Sequence, residues 1–262
     1  MTSRQIIIAI AILAVVLPAA VAPAATGRIK QEKWTAACSL AGELENVAQL
    51  ANHKLDMSTK AVNSYLKQYM RTRIYIEVKR QGAPSKEDVA LLAYYLAKAD
   101  ISLSKLEGPG LAKATTAIRN AARLQGAIVD FVGAMAEIAD SSTNGCLEKE
   151  SGGNAHRPPA TAFSGKSQGC KLVATDLQTT KPTLAAFTTS GVSGSLATAS
   201  NTASITDSTS NACHLTQAKA THRLLGADSS EATMTGSPKF AGGIFFIGNS
   251  GMEPKDSDRW RA

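Results

Sequence analysis

The chain has 262 residues, a formal charge of +7, 44 % hydrophobic residues and only 5 % aromatic ones. So few large side chains cannot fill a thick globular interior, and abundant alanine instead suits helices whose axes lie close together. The basic excess permits acidic partners but is spread along the chain. Its densest cluster, Lys67, Arg71, Arg73, Lys79 and Arg80, matches no nucleic-acid-binding motif and reads as a solvated helix end, so nucleic-acid binding is not expected.

The amino terminus sets the compartment. Arg4 precedes an apolar run from Ile6 to Leu17, followed by small residues at Ala20-Val21-Ala22 and Ala22-Pro23-Ala24. This is the layout of a signal peptide, residues 1–24, with cleavage near 22–25. Pro18 and Pro23 make it too short for a retained membrane anchor, and no later stretch is apolar enough to span a bilayer. Export makes Cys38, Cys146, Cys170 and Cys213 candidates for two disulfides rather than free thiols. About 235 residues remain, enough for one large domain or two small ones.

From Lys33 to Arg80, small or apolar residues recur at Ala37, Ala41, Leu44, Ala48, Ala51, Leu55, Ser58, Val62, Tyr65, Tyr69, Thr72 and Ile76. Steps of four and three in alternation are a heptad stripe, and predict a coiled-coil helix over 33–80, roughly 72 Å long. Gly82 and Pro84 end it, and Ser85 with Asp88 forms a capping-box pattern for the next helix. That helix, predicted over 85–140, carries Val89, Leu92, Leu96, Ala99, Leu103 and Leu106. Gly108-Pro109-Gly110 interrupts it, and Ala114, Ile118, Ala121, Gln125, Ile128, Val132, Met135 and Ala139 continue the stripe. Two stripes joined by a short turn predict an antiparallel helical hairpin. Leu40, Val47 and Leu50 lie off the main seam, so a second copy of the chain is the expected partner.

After Cys146 the character changes. Residues 141–238 are loop-rich, and Thr188 to Ser210 consists largely of Ser, Thr, Gly and Ala with almost no charge. Such a stretch builds no core of its own; Cys170 and Cys213 bracket it, which favours a pinned surface loop over disorder. Its composition permits O-glycosylation, but the chain contains no Asn-x-Ser/Thr sequon. Residues 239–248, KFAGGIFFIG, predict a short strand, and 251–262 form a polar tail. The fold class expected is therefore mainly α: an elongated antiparallel coiled-coil hairpin with a disulfide-pinned, loop-rich head and a little β.

Chemistry is poorly supported. His53, His156, His214 and His222 are scattered and form no metal-ligand spacing. Cys213-His214 would need a free, activated thiol to act as a nucleophile. The glycines of GGIFFIGNSG lack phosphate-loop spacing, and Tyr65, Tyr69, Tyr94 and Tyr95 sit at packing positions. No catalytic residue, cofactor or metal is expected, and the chain is not expected to be an enzyme. With a turn near Ala83, position 128 lies level with Cys38, and a continuous helix would carry Cys146 roughly 27 Å beyond it. A disulfide spans only about 7 Å between Cα atoms, so Cys38–Cys146 is the least favoured of three pairings and the other two stay open.

Trp34 and Cys38 within KWTAACSLAGELENVAQLANHKL, the Gly145-Cys146 and Gly169-Cys170 pairs, a fourth cysteine some way on, and Phe240-Ala241-Gly242-Gly243 together resemble the A-type amino-terminal domain of trypanosome variant surface glycoproteins. The resemblance runs from the signal peptide to residue 250. It implies pairing of Cys38 with Cys170 and of Cys146 with Cys213, and a homodimer of elongated hairpins. It also implies a coat packed on the cell surface through a glycosylphosphatidylinositol anchor, varied to escape host antibodies that meet the loop-rich head, with the Gly82 turn facing the membrane. The ending DSDRWRA carries neither the small-residue attachment site nor the apolar tail of such an anchor. A truncated or fragmentary member, secreted if anything, is the expectation there. The alternative is a receptor subunit on the same scaffold that captures a host serum protein such as transferrin or haptoglobin-haemoglobin.

Overall fold

The structure is a computed structural model. It describes residues 27–139, 145–148, 155–156, 162–171, 176–188, 191–192, 213–216, 236–248 and 251–254. The signal peptide, His222, most of the Ser/Thr-rich stretch and the tail beyond 254 lie outside the described residues.

Helix α1, Gln31–Lys79, runs unbroken for 49 residues, roughly 74 Å. Every position of its heptad stripe from Ala37 to Ile76 is buried or half-buried. The chain then reverses at Gln81 and Gly82, both with positive φ, and the Ile76 carbonyl accepts from the N–H groups of Arg80 and Gly82. Helix α2, Lys86–Lys105, opens on a capping box: the Ser85 hydroxyl accepts from the Asp88 N–H, and the Asp88 carboxylate accepts from the Ser85 N–H.

The Ser85 backbone N–H, helped by the Ser85 hydroxyl and the Arg80 guanidinium 2.9 Å away, holds the Asp88 carboxyl below its ordinary range. A carboxyl depressed in the folded state stabilises fully above its unfolded value and loses that contribution as pH falls through the folded one. Acidification below about pH 4 should therefore loosen the turn. Asp88→Asn should show a weaker loss of helical circular dichroism across that range than the parent does.

The second stripe is partly corrected. Val89 and Leu96 are each 52 % exposed, while the inward series runs through Asp88, Leu92, Tyr95, Ala99 and Ser102 of α2 to Leu106 just past its end, with Leu103 half-buried beside it as expected. Those alternate four and three without a slip, in phase with Ser85 at the turn, which leaves Val89 and Leu96 one residue off the seam. Tyr95, small residues and the capping aspartate hold seam positions that an apolar count passes over.

Gly108-Pro109-Gly110 does not end the second arm. Leu106–Gly110 widens into one π-type turn, where the Leu111 N–H donates to the Leu106 carbonyl five residues back. Pro109 lacks the N–H of a normal ladder, and Gly108 takes a non-helical ψ of −133°. These changes absorb one extra residue at a kink, beyond which the helix resumes. Helix α3, Leu111–Glu137, continues against α1. It stops three residues before the 140 expected, with Ile138 at ψ 79°.

The core is concentrated at one end. Trp34, Ala37, Cys38, Leu40, Ala41 and Leu44 of α1 meet Ala121, Ile128, Val129, Val132, Met135 and Ala136 of α3, and Ile29, Leu147, Phe163, Ile244, Phe245 and Ile247 complete it. Leu40, expected off the seam and free for a second copy, is 3 % exposed in this core, and Val47 packs against it. The head wraps α1 on a side that a two-helix hairpin would leave bare. Toward the Gly82 turn, by contrast, only Ile76 and Ala99 are buried.

Among the described residues, three small antiparallel sheets decorate this end. Strand β1, Leu147–Glu148, pairs with β2, Ala155–His156, and β3, Phe187–Thr188, pairs with β4, Gly191–Val192. The segment 239–248 is a tight hairpin and not one strand. Strand β5, Lys239–Phe240, turns through Ala241–Gly243 and returns as β6, Phe245–Gly248. Gly242 and Gly243 have φ of 67° and 96°, a left-handed region that glycine enters without steric cost. Strand β7, Gly251–Pro254, adds to β6, so the sheet extends into the stretch expected as tail. Phe131 of α3 stacks on Phe240 and Phe245 at 5.3 and 5.5 Å between ring centroids, seating the sheet on the helix.

Candidate functional site

The distinctive construction is the head, assembled around the first turns of α1. Helix α1 has no side-chain cap of its own; its cap comes from Glu148, whose carboxylate accepts the Gln31 N–H at 2.9 Å. A carboxylate there also complements the helix dipole. The Trp34 indole N–H donates to the Glu148 carbonyl, and the fully buried ring lies 6.1 Å from that of Phe163.

Residues just before α1 are bound as firmly. Ile29 forms a parallel bridge with Leu147, donating to the Cys146 carbonyl and accepting from the Glu148 N–H. The buried Thr216 hydroxyl lies 2.8 Å from the carbonyls of both Gly27 and Cys213.

The four cysteines fall into two bridges. Cys38 and Cys170 are joined with Cα atoms 4.8 Å apart, and Cys146 and Cys213 with Cα atoms 4.9 Å apart. Helix α3 does not continue to Cys146 but ends at Glu137. Instead the chain beyond Glu137 folds back, and the Cys146 N–H donates to the Ile138 carbonyl.

The first bridge fixes the 3-10 turn Gly165–Cys170 against α1, and Gly169 is why it can come so near. A Cβ on Gly169 would overlap the Cys38 carbonyl oxygen and lie 2.6 Å from the Gly42 nitrogen. A Cβ on Gly42, the one interruption of the alanine-rich run, would lie 3.5 Å from the Gly169 Cα.

Residues 177–186 lie along α1 as a strap. The Gln49 amide donates to the Thr180 carbonyl and hydroxyl, and the Asn52 amide to the carbonyls of Leu177 and Gln178. His53 Nδ1 lies 2.6 Å from the Thr179 carbonyl; a carbonyl only accepts, so Nδ1 carries the proton. Further up, the Glu43 carboxylate accepts from the N–H groups of Ala185 and Ala186. The hold of Glu43, Gln49, Asn52 and His53 on the strap is not legible in the sequence, because nearly all their partner atoms are backbone and all lie more than 120 residues away.

These placements decide several candidate roles. Cys213 is in a disulfide, so it offers no thiol beside His214. His53 is engaged with the strap, and the side chains of His156 and His214 are not described. Among the described residues no group of three His, Cys, Asp or Glu side chains is arranged to hold a metal ion. None of the described helices is long and apolar enough to cross a membrane. A cavity of about 690 Å³ opens beside the Cys38–Cys170 bridge, between Glu43, Asn46, Gln125 and Gln168. One of its lining groups, Glu43, already accepts from the strap. What the arrangement does is hold polypeptide in a defined place at one end of a long rod.

Comparison with known proteins gives a consistent result. Residues 9–258 match the family model described as trypanosome variant surface glycoprotein, A-type. The chain is 27 % identical over 178 residues to variant surface glycoprotein MITAT 1.2 of Trypanosoma brucei brucei, which covers 68 % of this chain and 37 % of that relative. The fold resembles the solved structure of MITat 1.1 with a TM-score of 0.73 at 19 % identity, over 91 % of this chain and 64 % of the other. The chain thus spans about a third of the curated relative's length.

Proposed function

We propose that this chain, which belongs to the A-type family of trypanosome variant surface glycoproteins, serves as a surface coat protein: a steric barrier and variable antigen by which the cell evades host antibodies. The observation that carries this reading is the family match across 9–258, on a fold whose described head is held by two bridges. Such a protein works by occupying space. The helices hold the head at a distance, and loops between fixed cysteines can change sequence without disturbing the core, because the bridges and the strap hold the surrounding chain in place. On this reading the molecule performs no reaction and needs no cofactor.

The same reading makes it a homodimer displayed at the cell surface. In an antiparallel pair, positions one residue past the seam on each helix share a surface. Leu66 and Met70 of α1 and Val89 and Leu96 of α2 occupy such positions and are 40 to 57 % exposed. A contiguous apolar flank of this kind marks an interaction surface, and a second copy supplies the matching flank under two-fold symmetry. Met70→Glu with Leu96→Glu would bury carboxylates in that contact, weakening self-association by more than about a hundredfold. Sedimentation would show the shift from dimer to monomer.

The cellular test is antibody access. Antibody raised against the folded chain should stain live, unpermeabilised trypanosomes that express it, and staining only after permeabilisation would overturn the coat reading. The receptor alternative makes a different forecast: serum passed over the immobilised chain would leave one specifically retained protein. A coat protein should retain none.

A further inference from the structure

The widened turn at Leu106–Gly110 opens a groove of about 430 Å³ between α1 and the second arm of the hairpin, within the roughly 300–1,000 Å³ of small-molecule sites. Leu50, Leu55 and Leu106 give it an apolar wall. Ala51, Ala114 and Ala117 keep it open where larger side chains would close it. Its charged lining residues are all of one sign: Lys54, Lys105 and Lys113, each exposed. Among the described residues none of these three forms an ion pair, whereas Lys60, nearby on α1, does so with Asp56. We propose that this groove binds a single-chain amphiphile with an anionic head, a long-chain carboxylate, its tail along the leucines and its carboxylate among the three lysines.

Charge decides between this occupant and a second copy of the chain. A two-fold axis through the groove would set Lys54, Lys105 and Lys113 against their own duplicates, a like-charge contact that opposes closure. An anionic head is attracted by all three and can accept hydrogen bonds from the ammonium groups. The tail removes the leucine wall from water.

The test uses the intact chain, stripped of lipid, with laurate and its uncharged counterpart lauryl alcohol as probes in titration calorimetry. Laurate should bind one to one, and the alcohol about tenfold more weakly or worse. Lys105→Gln with Lys113→Gln, both at exposed positions and so without risk to folding, should weaken laurate by about tenfold and leave the alcohol unchanged. Ala114→Phe should block both probes, with circular dichroism as a check that the helices remain. Equal binding of the two probes, laurate binding indifferent to the lysine changes, or no binding would overturn the proposal. So would a dimer that excludes laurate while a monomeric variant admits it, since a second copy would then be the true occupant.

Discussion

Serine at both position 38 and position 170 lowers the unfolding free energy by about 2–5 kcal/mol and the melting temperature by about 10 °C. The bridge joins residues 132 apart, and closing so long a loop removes about 5 kcal/mol of conformational freedom from the unfolded chain on the chain-entropy scale. The native state also loses its cross-link at the most crowded point of the head, where Cys38, Gly42 and Gly169 meet. Cys146→Ser with Cys213→Ser acts on a separation of 67 residues and should cost slightly less, about 4 kcal/mol on the same scale. Thermal unfolding by far-ultraviolet circular dichroism would rank the two. Peptide mass mapping without reduction would verify the parent pairing, and equal stability of the Cys38 and Cys170 double variant with the parent would contradict this account.

Gly169→Ala should be nearly as damaging, at about 3 kcal/mol, although it adds a single methyl group. That methyl would occupy the space of the Cys38 carbonyl oxygen, so the 3-10 turn must withdraw from α1. The three atoms nearest it are all backbone, and α1 cannot move aside without breaking its own ladder. Gly126→Ala makes a control, because a Cβ there meets nothing within 4 Å. Urea titrations of the two variants should separate them clearly. Similar midpoints would show that the close approach at Gly169 carries no weight.

The first arm of the hairpin was legible because one rule governs it. A heptad stripe over so many turns has no other structural solution, and its inward positions from Ala37 to Ile76 can be read from spacing alone. The Ser85–Asp88 box was equally plain, since capping is local chemistry between residues three apart. The second arm blurred where seam positions are held by Tyr95, Ser102 and Asp88, so that counting leucines pulled Val89 and Leu96 inward.

The head was the least legible part, and the reason is range. The Glu148 cap on α1, the Thr216 hydroxyl at Gly27 and the strap on Gln49 and Asn52 are contacts between segments more than 100 residues apart. Most of them use backbone atoms that every residue possesses. No residue type announces such a contact. Leu40 was misjudged for the same cause: its burial depends on a layer whose position the hairpin alone does not set.

The clamped segment before α1 also dictates the order in which this protein can mature. Gly27 is among the earliest of the described residues to leave the ribosome, yet its carbonyl waits for Thr216, 189 positions later. Trp34 finds the carbonyl of Glu148 sooner, but the top of the long helix stays unfinished until Thr216 arrives. Topologies dominated by distant contacts assemble slowly. The head is therefore completed only once Thr216 has been made, and until then the newly made chain is a stalk without a lid.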